Sequence, residues 1–384
     1  MLLSAGERAA SAAKARVLRG RMLNPDDFDR LLECETVGAI ATYLSRTEAY
    51  GGYFAEGARP ETMRRWELEE LIAVAPVVEE IPFCHYLGSV RASILRAWGG
   101  RFDVEIVKRM LRIITTGVGD RDAVRRWVGS APVTTVDGDK LIASRTLRDI
   151  LEAIRGRPLE RAIGEPLRRA LSSGSQKVTE ETLFHIKTAM DSFFVTHIYS
   201  EAGRLPVNER RHVRALFGVR ADLINLYWIY RGRKFFGMSP EEALAMTLPV
   251  RHRLNFELLG SFAFAPDVKA MTALMRESRY GPAFEDEEQA STSSDAERTS
   301  LVEMALEHNL YRFLWAAAVR IFASGSSGVH VPLAYLTLRE LEVKDLFTII
   351  EGVRYHFDTR RLRGFLIHPD ASVSGREGRT RWLS

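Results

Sequence analysis

A helix-pair signature recurs three times in this chain, beginning at Asp103, Asp222 and Glu342, at intervals of 119 and 120 residues. One residue after the acid stand Val104, Leu223 and Val343, and four after stand Val107, Leu226 and Leu346. Seven and eight after come Met110 and Leu111, Ile229 and Tyr230, and Ile349 and Ile350. Offsets of one, four, seven and eight lie on one face of an α-helix, so each copy predicts a helix that buries a stripe. A capping residue closes each signature at Asp120, Ser239 and Thr359, where a side-chain oxygen can accept the orphan amide hydrogens of a second helix. Pro240 suits the first helical position, which needs no N–H. Gly232 and Gly352 are expected to end the first helix of their pairs, a role that Gly117 and Gly119 take in the first copy. The residue at offset three varies (Ile106, Asn225, Asp345). The regularity predicts an all-α body of three related units.

Weaker echoes support this division. A short helix over Thr36 to Ser45 is matched about 110 residues later by Leu147 to Ile154, which ends in Arg155-Gly156-Arg157-Pro158. Helical periodicity also covers residues 1–22, a helix started by Asn24 to Asp27 with Phe28, Leu31 and Leu32 inward, and the stretches Thr179 to Ala202 and Pro206 to Phe217. Only Ala131 to Val136 carries a β-branched run. The expected units are residues 1–130, 131–250 and 251–367. Arg279 to Ser300, with the acidic run Glu285 to Glu288 near its middle, reads as a disordered or loosely held insertion, and 368–384 as a flexible tail.

Composition removes several classes. Hydrophobic residues make up 46% and charged residues 27% of the 384, as in ordinary globular proteins. The two cysteines, Cys34 and Cys84, give no disulfide framework and no metal spacing. No apolar run reaches the roughly 18–20 residues that cross a bilayer; Leu71 to Val78 is short, and Leu314 to Ala323 contains Arg320. The N-terminal residues carry Glu7, Arg8 and Lys14 rather than a signal-peptide apolar core. The net charge is +4, and lysine accounts for only eight of the 54 basic residues. An arginine excess fits phosphate recognition, which keeps a helical-repeat nucleic-acid binder as the alternative function. Arginine-rich codon usage explains the same bias, and the interleaving of Glu and Asp with the arginines favours solvated helix faces.

A search for chemistry finds little. There is no GxxxxGK[ST] loop, and Gly117-Val118-Gly119-Asp120 is too short for a dinucleotide fingerprint. The nine histidines show no HExxH pattern and no cysteine at ligand spacing. Cys84-His85 is the only adjacent thiol and imidazole, and sequence neighbours rarely point together, so an enzyme built on Cys84 is the weakest reading. No catalytic residue, cofactor or metal is expected.

The middle copy, from Asp222 through Asn225-Leu226, Arg231, Lys234 and Ser239-Pro240-Glu241-Glu242 to Leu248-Pro249, resembles a recurring segment of the C (or d) subunit of V-type and A-type rotary ATPases. Ala15 to Leu23, continuing through Leu44 to Tyr50-Gly51, is similar to that family's opening. Tyr335-Leu336 to Leu366, with Glu340, Asp345-Leu346, Ile349-Ile350 and Gly352, is similar to its final helix pair. Together these span most of residues 15–367. Ile106 and Asp345 depart from the asparagine kept at Asn225, Ala49 stands where the family often has proline, and the acidic insertion and arginine-rich tail are extra.

The resemblance implies a non-catalytic subunit of three similar helical units around a pseudo-threefold axis, funnel-shaped with a central cavity. It would sit peripherally on the cytoplasmic side of the membrane. Its partners would be the central-stalk subunits (D and F type) and the proteolipid c/K ring, between which it would carry torque for proton or sodium transport; nucleic acid is not expected. A stiff helix-packed body without reactive groups agrees with that role. Arg231, Arg233 and Lys234 are the candidate partner contacts, facing acidic loops or lipid phosphates, unless they are merely solvated charges at a helix end.

Overall fold

The computed structural model describes residues 2–130, 136–172, 180–284, 295–324, 327–355 and 357–368. Among them the regular elements are helical, as the periodicity predicted. In chain order the α-helices are α1 Leu2–Arg21, α2 Pro25–Leu32, α3 Val37–Leu44, α4 Arg65–Tyr86, α5 Ser89–Thr116 and α6 Arg121–Ser130. Next come α7 Gly138–Ala143, α8 Leu147–Ile154, α9 Glu160–Ser172, α10 Glu180–Glu201, α11 Val207–Phe235 and α12 Pro240–Ala245. The last are α13 Phe256–Ala263, α14 Val268–Glu277, α15 Asp295–Phe322, α16 His330–Arg354 and α17 Thr359–Gly364. The β-branched run falls on 131–135, outside the described residues, as do 285–294 of the acidic stretch and 369–384 of the tail.

The chain divides into two compact units, residues 1–8 with 73–210, and 9–72 with 211–384. In the first, α5 packs along α10, α10 along α9, and α7, α8 and α9 follow one another in contact. Trp98, on α5, is fully buried, with Phe102 set edge-on to it at 5.7 Å. In the second unit α15 and α16 form the main antiparallel pair, α13 packs on α14, α3 on α16, and α17 on both α16 and α2. Every residue of α16 from His330 to Val343 is buried, so this helix is the spine of its unit.

All twelve apolar positions of the triplet are inside, the most accessible being Val343 at 7%. Each such side chain contributes about 1.5–3 kcal/mol on burial, so three stripes at helical spacing suffice to fix which faces of α5, α11 and α16 turn inward. The start signals hold as well. Ser239 forms a capping box with Glu242, and Asp120 accepts from the Asp122 amide at 2.8 Å. The third cap is one residue earlier than expected: Asp358 accepts from Arg361, and Thr359 is the first helical residue. Both side chains are capping types, and the chain uses the stronger one.

The periodicity over Pro206 to Phe217 is helical as expected, and α11 carries it on unbroken from Val207 to Phe235. One expectation about helix ends needs correction. Gly232 and Gly352 do not close their helices, which continue to Phe235 and Arg354. They are sites of close approach: a Cβ on Gly232 would lie 3.0 Å from Met238 Sδ, and one on Gly352 2.5 Å from Leu362 Cδ1. The missing side chain lets the second helix of each pair fold back onto the first. Gly117, with φ of 70°, does close α5 as expected. Arg279 to Phe284 is no loose segment either. A 3₁₀ turn covers Gly281–Phe284, Tyr280 just before it is buried along with Ala283 and Phe284, and Asp295 onward already belongs to α15.

Candidate functional site

The acids that open each copy are the polar centre of the fold. A carboxylate flanked by apolar residues on a helix would ordinarily face water, yet Asp103, Asp222 and Glu342 are at most 5% exposed. Asp222, on α11, accepts from the His252 amide at 3.3 Å, the Arg253 amide at 2.7 Å and the Tyr280 hydroxyl at 3.0 Å. Glu342, on α16, accepts from the Leu23 amide at 2.9 Å and the Tyr50 hydroxyl at 3.0 Å, and pairs with Arg339. The two acids therefore do the same work on two matching segments. Leu23-Asn24 leads into α2 with Asn24 as cap, and Leu254-Asn255 leads into α13 with Asn255 as cap. Tyr50-Gly51 follows α3 and Tyr280-Gly281 follows α14, and a Cβ on either glycine would strike the carbonyl oxygen of the preceding turn, Ser45 or Arg276. Each acid thus fastens both ends of a short helical hairpin to a long helix.

Burial raises both carboxyls, Asp222 to about 6, while the amide and hydroxyl donors pull them back toward ionisation. Arg339 completes the Glu342 site: it donates to the Ala49 carbonyl at 2.6 Å and lies 4.1 Å over the Tyr50 ring. The family departure at Ala49 therefore falls on a backbone oxygen that this arginine holds.

The varying residue at offset three performs a second fastening. Asn225 accepts from the Leu248 amide at 2.6 Å through Oδ1. Asp345 accepts from the Ile367 amide at 2.7 Å and the His368 amide at 3.0 Å. The acceptor ties down the chain just after the second helix of its pair, at nearly the same distance along the sequence in both copies. Asn225 leaves its Nδ2 without a partner among the described residues. Asp345, when ionised, has no donor of its own to satisfy, but burial raises its carboxyl to about 7. In the first copy Ile106 can make no such bond, and that pair lacks the tie.

A third polar contact joins the long helices themselves. Arg220 Nη1 and Nη2 donate to Glu340 Oε1 and Oε2 at 3.0 and 2.6 Å, a bidentate pair with both side chains under 10% exposed. Each of these residues lies two positions before its signature acid, so the same place in the second and third copies is filled by opposite charges.

The sequence-derived contact residues lie at the C-terminal end of α11. Arg233 donates to the Met238 carbonyl at 3.2 Å and the Ala265 carbonyl at 3.1 Å. Lys234 donates to the Tyr230 hydroxyl and lies 4.8 Å from the centre of that ring. Arg231 stacks over Tyr227 and Phe236 at 5.2 and 5.4 Å. All three are half-buried against their own helix end, beside Phe236, which is 51% exposed. Cations suit that end because the terminal carbonyls carry partial negative charge. Cys84 and His85 are not brought together as a reactive pair: the Cys84 thiol donates to Glu80 at 2.7 Å, and burial and that carboxylate push it up and away from the nucleophilic thiolate. Among the described residues no group of three His, Cys, Asp or Glu is placed to hold a metal ion, and no helix is long and apolar enough to cross a membrane.

These features define a structural class: a helix-packed body whose buried acids and arginines are spent on fastening hairpins and helix ends. Comparison with known proteins makes that class specific. The family model for the ATP synthase (C/AC39) subunit matches residues 11–365, and the chain belongs to that family. It is 24% identical over 348 residues to the C subunit of the A-type ATP synthase of Methanothermobacter thermautotrophicus, covering 89% of this chain and 83% of that one. The corresponding A-type ATP synthase protein of Methanosphaera stadtmanae is 22% identical over the same shares. That of Methanocaldococcus jannaschii is 20% identical over 96% of this chain and 88% of its own.

Proposed function

We propose that this chain is the C-type connector of a rotary A/V-type ATP synthase or ATPase, peripheral on the cytoplasmic side of the membrane. It joins the central-stalk subunits to the proteolipid ring and carries torque between them without a catalytic site of its own. The observation that carries the proposal is the family match, which spans nearly the whole helical body.

The proposal includes three helical units, residues 1–130, 131–250 and 251–367, related by a pseudo-threefold axis around a funnel-like cavity. The Arg220–Glu340 pair supports it. Places one repeat apart can touch side chain to side chain only where they lie close to the axis relating the copies. Matching acid fastenings on α11 and α16 support a common unit design. Stiffness is what torque transfer asks of the body, and buried fastenings at both ends of each hairpin supply it. Arg231, Arg233 and Lys234 remain the proposed partner contacts, through the faces that their helix-end bonds leave in solvent.

The test is reconstitution. Purified chain is expected to bind stalk subunits and, separately, detergent-solubilised ring, and to hydrolyse no ATP alone. Binding to neither would refute the proposal. Replacing Arg231, Arg233 and Lys234 by glutamine is expected to weaken one of the two associations by about tenfold, the scale of one or two lost charge-assisted bonds.

A further inference from the structure

The second compact unit holds a cavity of about 430 Å³ that none of these fastenings uses. It is lined by four exposed arginines, Arg211, Arg253, Arg279 and Arg320. Ala215, Val219, Pro282, Ala317 and Ile321 give apolar walls. The rings of Tyr280 and Phe313 form one side, set edge to face at 5.1 Å, and His212, His252 and Ser324 complete the lining. Among the described lining residues none is acidic. The carboxylate nearest in the network is Asp222, whose oxygens are taken by the His252 and Arg253 amides and the Tyr280 hydroxyl.

That network makes the cavity a built site. Asp222 fixes the two lining segments, 252–253 and 280, against α11. His252 is seated on Gly218, where a Cβ would come within 2.7 Å of the imidazole, so any larger residue at 218 would push the ring from its place. Burial together with Arg253 and Arg279 lowers the His252 pKa, so at neutral pH the imidazole is uncharged and the positive potential comes from the guanidinium groups. Four arginines around one largely apolar concavity favour a ligand with an anionic head and a hydrophobic body. The planar fork of arginine matches phosphate oxygens two at a time, and ring faces suit a flat or greasy body.

We propose that this cavity binds an organic phosphate: a phosphate head on Arg211, Arg253, Arg279 and Arg320, and an apolar or aromatic body against Tyr280 and Phe313. Such chemistry has two sources, a soluble nucleotide-like phosphate or a phospholipid headgroup with the start of its chain.

The test titrates the full-length chain with three probes by calorimetry: ADP, short-chain dihexanoyl phosphatidic acid, and inorganic phosphate. Saturable one-to-one binding of ADP or the phosphatidate, at least tenfold tighter than inorganic phosphate, is expected, and the tighter of the two names the source. The double substitution R253Q/R320Q is expected to weaken that binding at least tenfold, while R125Q, an exposed arginine of the other unit, leaves it unchanged. Should R253Q/R320Q lose its thermal transition, R211Q/R279Q replaces it with the same expectation. Saturable binding by neither organic probe, equal affinity for inorganic phosphate, or equal loss in R125Q would each overturn the proposal.

Discussion

Asp345 offers a measurement in which the buried fastening and its protonation separate. The carboxyl is 1% exposed and accepts from the Ile367 and His368 amides, and burial, aided by the neighbouring Glu342, raises it from an ordinary 3.8 to about 7. The folded pKa thus exceeds the unfolded one. Below about pH 4 both states hold the proton, and this group adds no pH dependence. Between pH 4 and 7 the unfolded chain releases a proton that the folded chain keeps, so stability falls as pH rises. Three pH units at about 1.4 kcal/mol each make about 4 kcal/mol lost across that window. The second copy shows the remedy, because Asn225 makes the same kind of bond with a neutral amide. D345N is therefore expected to gain about 4 kcal/mol relative to the parent between pH 4 and pH 8, whatever its offset at pH 4. D345A loses the same slope but leaves two amides unpaired, at about 1–3 kcal/mol for each that is buried. Urea unfolding followed by far-ultraviolet circular dichroism at pH 4, 6 and 8 reads the differences between variants, in which the other titrating groups largely cancel. A parent-to-D345N difference that does not change with pH, or grows in the parent's favour as pH rises, would refute the reasoning.

Three further outcomes follow from the same contacts. R220A strands the Glu340 carboxylate in the interior and is expected to cost about 3–5 kcal/mol in urea unfolding, whereas the apolar pair R220L/E340L recovers most of that loss. Y50F and Y280F each remove a hydroxyl donor from a buried acid, and each is expected to cost about 1.5–3 kcal/mol; widely different costs would argue against equivalent fastenings. Cys84 in the native chain is expected to react with a disulfide reagent at pH 8 at least tenfold more slowly than in the urea-unfolded chain, and equal rates would show that Glu80 and burial do not hold the thiol.

The parts of this fold that were legible are those set by local chemistry. Period 3.6 put the stripes of α5, α11 and α16 inside, and oxygen-bearing residues marked where second helices begin. Misreadings arose where one residue type serves two geometries. Glycine at a helix end closes a turn or admits a neighbour, and only the positions of Met238 and Leu362 tell which. Thr359 and Asp358 are both caps by type, and one residue separates them. The fastening role of Asp222 and Glu342 was hidden because their partners lie tens to hundreds of residues away. A signal did exist in the recurrence of Tyr-Gly at Tyr50-Gly51 and Tyr280-Gly281, each following a short capped helix. Read as a pair, they would have marked Arg279 to Phe284 as ordered, despite the acidic run that follows.

The order of these fastenings along the chain carries an implication for how the repeats end. Asp222 holds the hairpin that follows its own helix, α13 with α14. That hairpin comes after α12, so by the same rule Glu342 would hold one that follows α17, the second helix of its own pair. It holds α2 with α3 instead, at the other end of the sequence. A stacked solenoid leaves its first and last repeats with exposed faces that need separate caps. Here the last long helix takes the first hairpin as its own, so neither needs a cap, and Glu342, paired with Arg339 on its own helix, draws its remaining donors from residues more than 290 positions away. Such an order fits the proposed arrangement of repeats around an axis, and it gives the acid inside α16 partners that offset part of the cost of its desolvation.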